Sequence, residues 1–467
     1  MDNKHFEKRY GLFTAICMVV GIVIGSGVFF KAQDILNYVG GNMLLGIFAW
    51  VIGGAVMIVC AGTFANFATK HAKVNGVVDY AEAIVGEKYA YIVGWFVSAI
   101  YYPAMTSVLA WVSARYTLVL FDPKADITSG LCMSLGVFYL VLTYAVNILS
   151  PKIAGKFQIS ATVVKLVPLA IMMIVGTIAG LINGNTIEAF VNSPAVSEEN
   201  FGSIFAGVAA AAFAYEGWII ATSINAELKD PKKNLPIALV IGTLIIMVVY
   251  IAYFVALTGG ASVDVLETQG STTAFTNLFG VIGGTVLNVF VVVSCLGTLN
   301  GLMLACTRSF YSLAVRGRGP RPDIFVEIDA QTNVPNDSGV LSLLMCGVWY
   351  FYFYAANLAP TPTFGVFSFD SSELPIITIY ALYIPIFLIY IVKTLKSGGK
   401  FKSIVMPILA LIASLFMVFV AIYAHGVRPY LSAAEKGEFA FPVLFYLIVF
   451  AIIMGIGLLF YNKKKTK

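Results

Sequence analysis

The strongest constraint on this chain is a succession of apolar runs, each long enough to cross a lipid bilayer. A membrane-spanning helix needs roughly 20 consecutive apolar residues. Backbone polar groups have no water to bond in hydrocarbon, so helices are the expected element. We predict an all-α membrane protein with twelve spans. The predicted spans are 10–36, 39–67, 89–118, 129–149, 158–182, 203–226, 236–258, 274–312, 338–356, 372–395, 403–424 and 440–461.

The composition excludes a soluble globular protein. Of the 467 residues, 59% are hydrophobic and only 11% are charged, whereas charged residues make up about 25% of a typical soluble domain. The first apolar run is too long for the core of a signal peptide, and no small-residue cleavage site follows it. We therefore keep it as a span and expect the protein to act within the membrane.

The basic residues predict the orientation in the membrane. Most of the 29 Lys and Arg residues lie at the termini or in alternate loops, and such residues face the cytoplasm. We therefore expect an inner (plasma) membrane protein with both termini cytoplasmic and an even number of spans. The basic charges are spread over short segments, which argues against a nucleic-acid partner. These segments are 4–9, 70–88, 152–156, 229–233, 308–321, 393–402 and 463–467.

The first span contains a glycine-rich stretch, Gly21–Phe30, that predicts a broken helix. Each glycine costs a helix roughly 1 kcal/mol relative to alanine, and Gly25 and Gly27 flank Ser26 near mid-membrane depth. A break there is tolerated only where it faces protein or a polar cavity. The alternative is that the glycines only allow close helix packing.

A break at this point would offer both polarities that an α-amino acid needs. The half-helix beginning near Ser26 would present free N–H groups and a positive dipole end to a carboxylate. The half-helix ending near Val23 would present free carbonyl groups to a cation. The stretch is therefore a candidate binding site for a zwitterion.

The sixth span carries a second interruption, Phe213–Trp218, in which Glu216 precedes Gly217 and three aromatic residues surround them. An acidic residue inside a span is costly, so it marks a functional-site candidate. Alternatively, Glu216 is a structural partner of a neighbouring helix. The aromatic residues could simply be packing residues.

Spans one and six occupy corresponding positions if five spans form one repeat and the next five another. Corresponding broken helices in two halves point to the binding site of a secondary transporter. This favours binding over packing for the first stretch. The predicted organisation is a cytoplasmic N-terminus (1–9), a first inverted repeat (10–182), a second inverted repeat (203–395), spans eleven and twelve (403–461) and a cytoplasmic C-terminus (462–467).

Span five contains Lys165, which we place about 12 Å deep from ~1.5 Å of rise per residue. A lysine near the bilayer centre costs roughly 3 kcal/mol or more, so we expect it to face the bundle interior. A carbonyl freed by Pro168 could help to solvate the ammonium group. In the alternative, the side chain snorkels to the cytoplasmic interface.

No cofactor, metal site or catalytic chemistry is predicted. The six cysteines fall inside apolar runs, without the spacing of zinc ligands or of a disulfide framework. The three histidines, His5, His71 and His425, fall in loops or at span ends, and no H-E-x-x-H pattern is present. We therefore do not expect an enzyme.

Two motifs resemble those of the amino acid, polyamine and organocation transporter superfamily, and within it the L-type amino acid transporter branch. The first is Gly21-x-x-Ile-Gly-Ser-Gly-Val-Phe29. The second is Phe213-Ala-Tyr-Glu-Gly-Trp218, followed by the acidic, basic and proline-bearing segment 225–236. A third, weaker match is Gly86-Glu-Lys-Tyr-Ala-Tyr91. Together the similarity covers essentially the whole chain.

The resemblance implies a five-plus-five inverted repeat and alternating access. It implies that the substrate carboxylate binds the N–H groups of Ser26 and Gly27, and that the amine binds carbonyls of Val23, Phe213 and Glu216. The ring of Phe213 would gate the site, and the ammonium of Lys165 would replace a sodium ion. Substrate-binding candidates are Val23, Gly25, Ser26, Gly27, Phe213, Tyr215, Glu216 and Gly217. Further candidate lining residues are Tyr101, Tyr102 and Ser294.

The chain departs from the animal members of this branch. Glu216 stands where many of them have glycine, and Ile219 stands where they often have asparagine. They pair with a single-span glycoprotein through a cysteine in an outer loop, and Leu120–Gly130 contains none. The resemblance is therefore to the prokaryotic exchangers of small neutral amino acids, which work without a disulfide-linked heavy chain.

We therefore expect a sodium-independent exchanger of alanine, serine, threonine or cysteine. The first alternative is a proton-coupled symporter in which Lys165 or Glu216 titrates. The second is an amino acid sensor on a transporter scaffold, against which the short termini argue.

Overall fold

A computed structural model describes residues 11–70, 76–122, 124–196, 198–219, 228–398 and 401–461. These residues are organised as helices, and none of them forms a β-strand. The predicted cytoplasmic termini, His5, His71 and the second part of the predicted sixth span, 220–226, lie outside the described residues. The fold class predicted from the apolar runs, an all-α protein, is confirmed.

We number the α-helices of seven or more residues in chain order. They are α1 (Leu12–Val23), α2 (Gly27–Tyr38), α3 (Met43–Lys70), α4 (Val77–Ile84), α5 (Glu87–Phe121), α6 (Gly130–Leu149), α7 (Pro151–Ile182), α8 (Asn185–Val191), α9 (Glu198–Ala214), α10 (Pro231–Gly259), α11 (Val263–Gln269), α12 (Ser271–Ala314), α13 (Asn336–Leu358), α14 (Leu374–Lys396), α15 (Val405–Ala434) and α16 (Pro442–Leu459). A four-residue helix, Pro322–Phe325, lies between α12 and α13.

Ten helices in the described part of the chain are long and apolar enough to cross a membrane, and two shorter apolar segments accompany them, Leu12–Gly21 and Gly202–Ala214. The long helices coincide with the predicted spans to within a few residues, with two larger differences. Helix α7 begins at Pro151 instead of 158, because proline is well suited to the first turn of a helix. Helix α15 continues to Ala434, ten residues beyond the predicted end at 424.

The predicted break in the first span is present. Helix α1 ends at Val23 and α2 begins at Gly27. Helix α1 packs against α10, and α2 packs against α9. Helix α3 contacts both α9 and α10. The two half-helices are therefore held inside the bundle, where an irregular backbone can be tolerated.

The connections between the spans show two further features. The polar connection after α3 contains the short helix α4. Helix α12 runs for 44 residues, long enough to extend beyond the membrane, and it is interrupted at Gly280 by a left-handed backbone conformation with φ of 70°. Arg316, two residues after the end of α12, pairs with Asp79 of α4, so the segment that follows the long helix is linked to this connection.

Candidate functional site

The break in the first span has the geometry of a helix end and a helix start facing each other. Ile24 adopts an extended conformation, with φ −64° and ψ 107°, which ends α1. The amides of Ser26 and Gly27 have no hydrogen-bond acceptor among the described residues. They lie at the N-terminus of α2, where the helix dipole favours an anion. The backbone can therefore donate to a carboxylate at this point.

The glycines of this break are also sites of close packing. A Cβ atom on Gly27 would lie 2.7 Å from the Cα atom of Ala214, and a Cβ atom on Gly25 would lie 2.7 Å from the hydroxyl oxygen of Thr298. Packing and binding were treated as alternatives from the sequence. In the structure the same glycines open the helix and let α9 and α12 approach it.

The second interruption lies next to the first in the folded protein. Helix α9 ends at Ala214, and residues 215–219 form turns. Gly217 has φ of 107°, a conformation that residues with a side chain rarely adopt. The Tyr250 hydroxyl lies 3.2 Å from the Val23 carbonyl and 3.0 Å from the Ala214 carbonyl. One side chain of α10 therefore joins the ends of α1 and α9.

The Lys165 side chain faces the bundle interior, as predicted, and the snorkelling alternative is wrong. The residue is only 1% exposed, and its ammonium donates a hydrogen bond to the carbonyl of Gly21 in α1. The partner is this carbonyl, not one freed by Pro168. The side-chain nitrogen of Lys165 therefore lies at the C-terminal end of α1, where the helix dipole favours a cation.

Glu216 is buried and has one partner on a neighbouring helix. Its Oε1 atom accepts a hydrogen bond from the hydroxyl of Tyr101. Its Oε2 atom has no partner among the described residues. Tyr101 ends a π-helical turn, Val97–Tyr101, within α5, and such turns often occur at functional sites. The contact agrees with the structural interpretation of Glu216, while Oε2 remains available to another group.

The aromatic residues of the second interruption are packed. The Tyr215 hydroxyl donates to the Trp50 carbonyl at 3.0 Å, and its ring stacks on Tyr250 at 5.1 Å between centroids. Trp218 packs against Phe64 and Tyr383. The Tyr215 amide donates to the Ala211 carbonyl at 3.0 Å, so the Tyr215 carbonyl is the group left to meet a ligand.

The candidate lining residues differ in their surroundings. The Ser294 hydroxyl is buried without a partner among the described residues. Its neighbour Cys295 lies next to the Ser26 hydroxyl, so this part of α12 faces the break. Tyr102 is the N-terminal neighbour of Pro103 and lies beside Tyr101 at 5.4 Å between ring centroids.

A buried group of charged residues was missed from the sequence. The Lys31 ammonium lies 2.7 Å from Glu373 Oε1, and His425 Nε2 lies 3.2 Å from Glu373 Oε2. The prediction that His425 falls in a loop or at a span end is wrong, because α15 extends beyond it. Lys31 lies within the first predicted span, so its charge was a signal of the same kind as that of Lys165. Tyr250 gave no signal, since a tyrosine in an apolar span is ordinary.

Comparison with known proteins identifies the family. The profile of the amino acid permease family matches residues 10–453. The chain is 30% identical to the serine/threonine exchanger SteT of Bacillus subtilis (strain 168), over 89% of this chain and 92% of that protein. It is 29% identical to the large neutral amino acids transporter small subunit 2 of Homo sapiens, over 70% of this chain and 62% of that protein.

A third relative is the b(0,+)-type amino acid transporter 1 of Oryctolagus cuniculus, 27% identical over 70% of this chain and 67% of that protein. The relatives named here are transporters and not enzymes. Their similarity agrees with the apolar helices, which indicate a multi-pass membrane protein. The chain therefore belongs to the amino acid permease family, within the amino acid, polyamine and organocation transporter superfamily.

Proposed function

We propose that this protein is a sodium-independent exchanger of small neutral L-amino acids across the plasma membrane. Twelve spans would form a five-plus-five inverted repeat with two further spans, and both termini would be cytoplasmic. One bundle would rock against the rest to expose the site alternately to each side. The relative named as a serine/threonine exchanger supports serine and threonine as substrates. Alanine and cysteine, which differ little from serine in size, complete the proposed set.

The observation that carries this proposal is that the ends of two broken helices both lie within hydrogen-bond distance of one tyrosine hydroxyl. Tyr250 lies within 3.2 Å of the Val23 carbonyl and 3.0 Å of the Ala214 carbonyl. Free amides at Ser26 and Gly27 would bind the substrate carboxylate. Carbonyls at the ends of α1 and α9 would bind the amine. The proposed contacts come from Val23, Gly25, Ser26, Gly27, Phe213, Tyr215, Glu216 and Gly217.

Sodium independence is supported by Lys165. Its ammonium is buried and bonds the Gly21 carbonyl. A sodium ion bound at the C-terminal end of α1 would need the same carbonyl groups, and the lysine already supplies a positive charge there. We therefore propose a fixed charge in place of a coupling ion.

Exchange requires that the loaded carrier reorients faster than the empty one. A substrate that bridges the two broken helices would stabilise the closed intermediate by contacts that the empty protein lacks. Such differential stabilisation is what a ligand needs to shift a conformational equilibrium. No disulfide-linked heavy chain is needed in this scheme.

The test uses purified protein in liposomes. Uptake of labelled serine is measured without sodium, with and without unlabelled serine inside. We expect uptake only when the internal amino acid is present, and no increase when sodium is added. Equal uptake into empty and loaded liposomes would contradict exchange, and a requirement for sodium would contradict the role given to Lys165.

The alternative is proton-coupled uptake, favoured by the unpartnered Oε2 atom of the buried Glu216. In that case a proton gradient directed inwards would drive uptake into empty liposomes. The variants Glu216→Gln and Lys165→Met would then distinguish the two candidate groups, because only substitution of the titrating residue would abolish the pH dependence of uptake. Lys152→Met, at an exposed lysine near the start of α7, is the matched control.

A further inference from the structure

The Lys31 cluster, which consists of Lys31, Asp34, Glu373 and His425, lies outside the proposed substrate contacts. Lys31 Nζ is 2.7 Å from Glu373 Oε1 and 3.2 Å from Asp34 Oδ2. His425 Nε2 is 3.2 Å from Glu373 Oε2. Lys31 is 3% exposed and Glu373 1%. This is an ion pair withdrawn from solvent, with further charged groups around it.

The cluster joins three helices that belong to different parts of the chain. Lys31 lies one turn after Gly27 in α2, so it is rigidly connected to the proposed carboxylate site. Glu373 immediately precedes α14, and its amide donates to Asp370 Oδ1 at 3.0 Å. His425 lies in a π-helical turn of α15. Any movement of α2 away from α14 must separate Lys31 from Glu373.

The Lys31 ammonium also contacts the aromatic pair beside the site. It lies 5.3 Å from the ring centroid of Phe213 and 5.4 Å from that of Phe30. The two rings meet edge to face, with centroids 5.2 Å apart. Cation–π contacts of this kind strengthen when they are desolvated. Phe213, the residue expected to gate the site, is thus held by the same ammonium that pairs with Glu373.

Breaking this pair inside the protein would be costly unless water replaces it. A buried charge that loses its partner is strongly destabilising, whereas exposed pairs contribute little. The pair therefore favours the closed arrangement as long as water is excluded. Water entering along α2 would solvate both ions and release the Phe213 ring.

We propose that Lys31 and Glu373 form the lock of the outer gate, which positions Phe213 over the site and opens each time the carrier faces outwards. This assignment rests on the proposed transport function and on the orientation predicted from the basic loops. In it, Lys31 is a positioning residue and does not touch the substrate. In the closed arrangement, His425 contacts Glu373 and Asp34 contacts Lys31.

A native cysteine provides the reporter for a test. Cys295 is fully buried and lies next to the Ser26 hydroxyl, at the proposed site. The other five cysteines would be replaced by serine, leaving Cys295 to react with a charged, membrane-impermeant thiosulfonate added to intact cells. The labelling rate, read by mass spectrometry, reports how often the outer path is open. Cys295→Ser gives the background.

We expect Lys31→Gln or Glu373→Gln to raise the outside labelling rate roughly tenfold, a change equivalent to about 1.4 kcal/mol in the opening equilibrium. The single charge reversals Lys31→Glu and Glu373→Lys should also raise the labelling rate. The double variant Lys31→Glu/Glu373→Lys, which restores an ion pair, should label more slowly than either of them. Lys124→Gln, at an exposed lysine, is the matched control and should leave the rate unchanged. Unchanged labelling in both single neutral variants would overturn the proposal.

The doubly neutral variant Lys31→Met/Glu373→Gln covers the case in which single variants fail to reach the membrane. In this variant neither member of the ion pair is left buried with its charge and without the other. Faster labelling of Cys295 would support the lock, and an unchanged labelling rate would overturn it. Labelling does not depend on exchange. If liposomes take up serine equally with and without internal serine but labelling responds as expected, the exchange mechanism fails, and the assignment of Lys31 and Glu373 to the closure of the outer path stands. If exchange is observed but labelling does not respond, only the gate assignment fails.

Discussion

Gly27 illustrates how one residue serves both packing and binding. It begins α2, where its free amide is proposed to meet the substrate carboxylate. Its missing side chain also allows the backbone of Ala214 to approach, since a Cβ atom would lie 2.7 Å from the Cα atom of that residue. A larger residue would therefore disturb the proposed site in two ways.

We predict that Gly27→Val abolishes serine exchange in liposomes while the protein still reaches the membrane. Forcing extra methyl groups into a packed site typically costs about 1–3 kcal/mol, which would separate α2 from α9. Gly347→Val is the matched control, because no atom lies within 4 Å of a Cβ atom at that exposed helical position. Normal exchange by Gly27→Val would contradict the site assignment.

The sequence predicted part of this site because some of its residues are unusual for a span. Glycines in Gly25–Gly27 and a lysine at position 165 conflict with an apolar helix, so they could be singled out. Tyr250 could not, because tyrosine is common in spans and its importance comes only from the two carbonyls that it reaches. The argument that singled out Lys165, a charged residue within an apolar span, would also have singled out Lys31.

At the scale of helices, the site depends on how two helix ends are held together. Helices α1 and α9 end side by side, and the hydroxyl of Tyr250 in α10 lies between their last carbonyls. The ring of Tyr250 is itself fixed by Tyr215 and by Trp50, at 5.1 Å and 5.4 Å between centroids. This arrangement orients the two carbonyl groups and leaves them able to bind a ligand, since each carbonyl oxygen can accept a second hydrogen bond.

We predict that Tyr250→Phe lowers the rate of serine exchange about fivefold. The loss of one hydrogen bond is worth roughly 1 kcal/mol, and a difference of that size changes a population by a factor of about 5. The aromatic packing would be kept, so the amount of folded protein should change little. Tyr430→Phe, at a tyrosine 43% exposed, is the control. Equal exchange rates for both variants would show that the hydroxyl has no role.

Most helix positions could be predicted, but their interruptions could be predicted only in part. Apolar runs bounded by charged loops define the spans, and glycines marked the breaks after Val23 and near Gly217. The π-helical turn Val97–Tyr101, which carries Tyr101 to Glu216, lies in an unbroken apolar run. Such a turn is decided by packing with neighbouring helices.

At the scale of the molecule, the charged contacts among the described residues include two that join distant helices near opposite predicted faces of the bundle. One is the Lys31 cluster. The other joins the end of α12 to α4, where Arg316 Nη2 lies 2.5 Å from Asp79 Oδ1 and Arg316 Nε lies 3.4 Å from Glu82 Oε2. Under the orientation predicted from the basic loops, the second contact lies on the cytoplasmic side. A carrier of the proposed type must open these two closures alternately.

We predict that Arg316→Gln raises the labelling rate of Cys295 from the cytoplasmic side several-fold, because Asp79 is buried and would lose this charged partner. The rate is measured in inside-out vesicles with the same impermeant reagent and the same cysteine background. Arg321→Gln, which removes an exposed pair with Asp323, should have no effect. A rise in labelling from the outside instead would contradict the assignment of sides.

The sequence by itself determined that this chain is a bundle of membrane helices with two glycine-broken spans, because apolar length and glycine placement act locally along the chain. It also marked Lys165 and Glu216, since a charge in a span is costly wherever it faces. Only the tertiary structure decided their partners, Gly21 and Tyr101. It alone brought Lys31 to Glu373, 342 residues away. Such contacts depend on how distant helices pack, which no local pattern encodes.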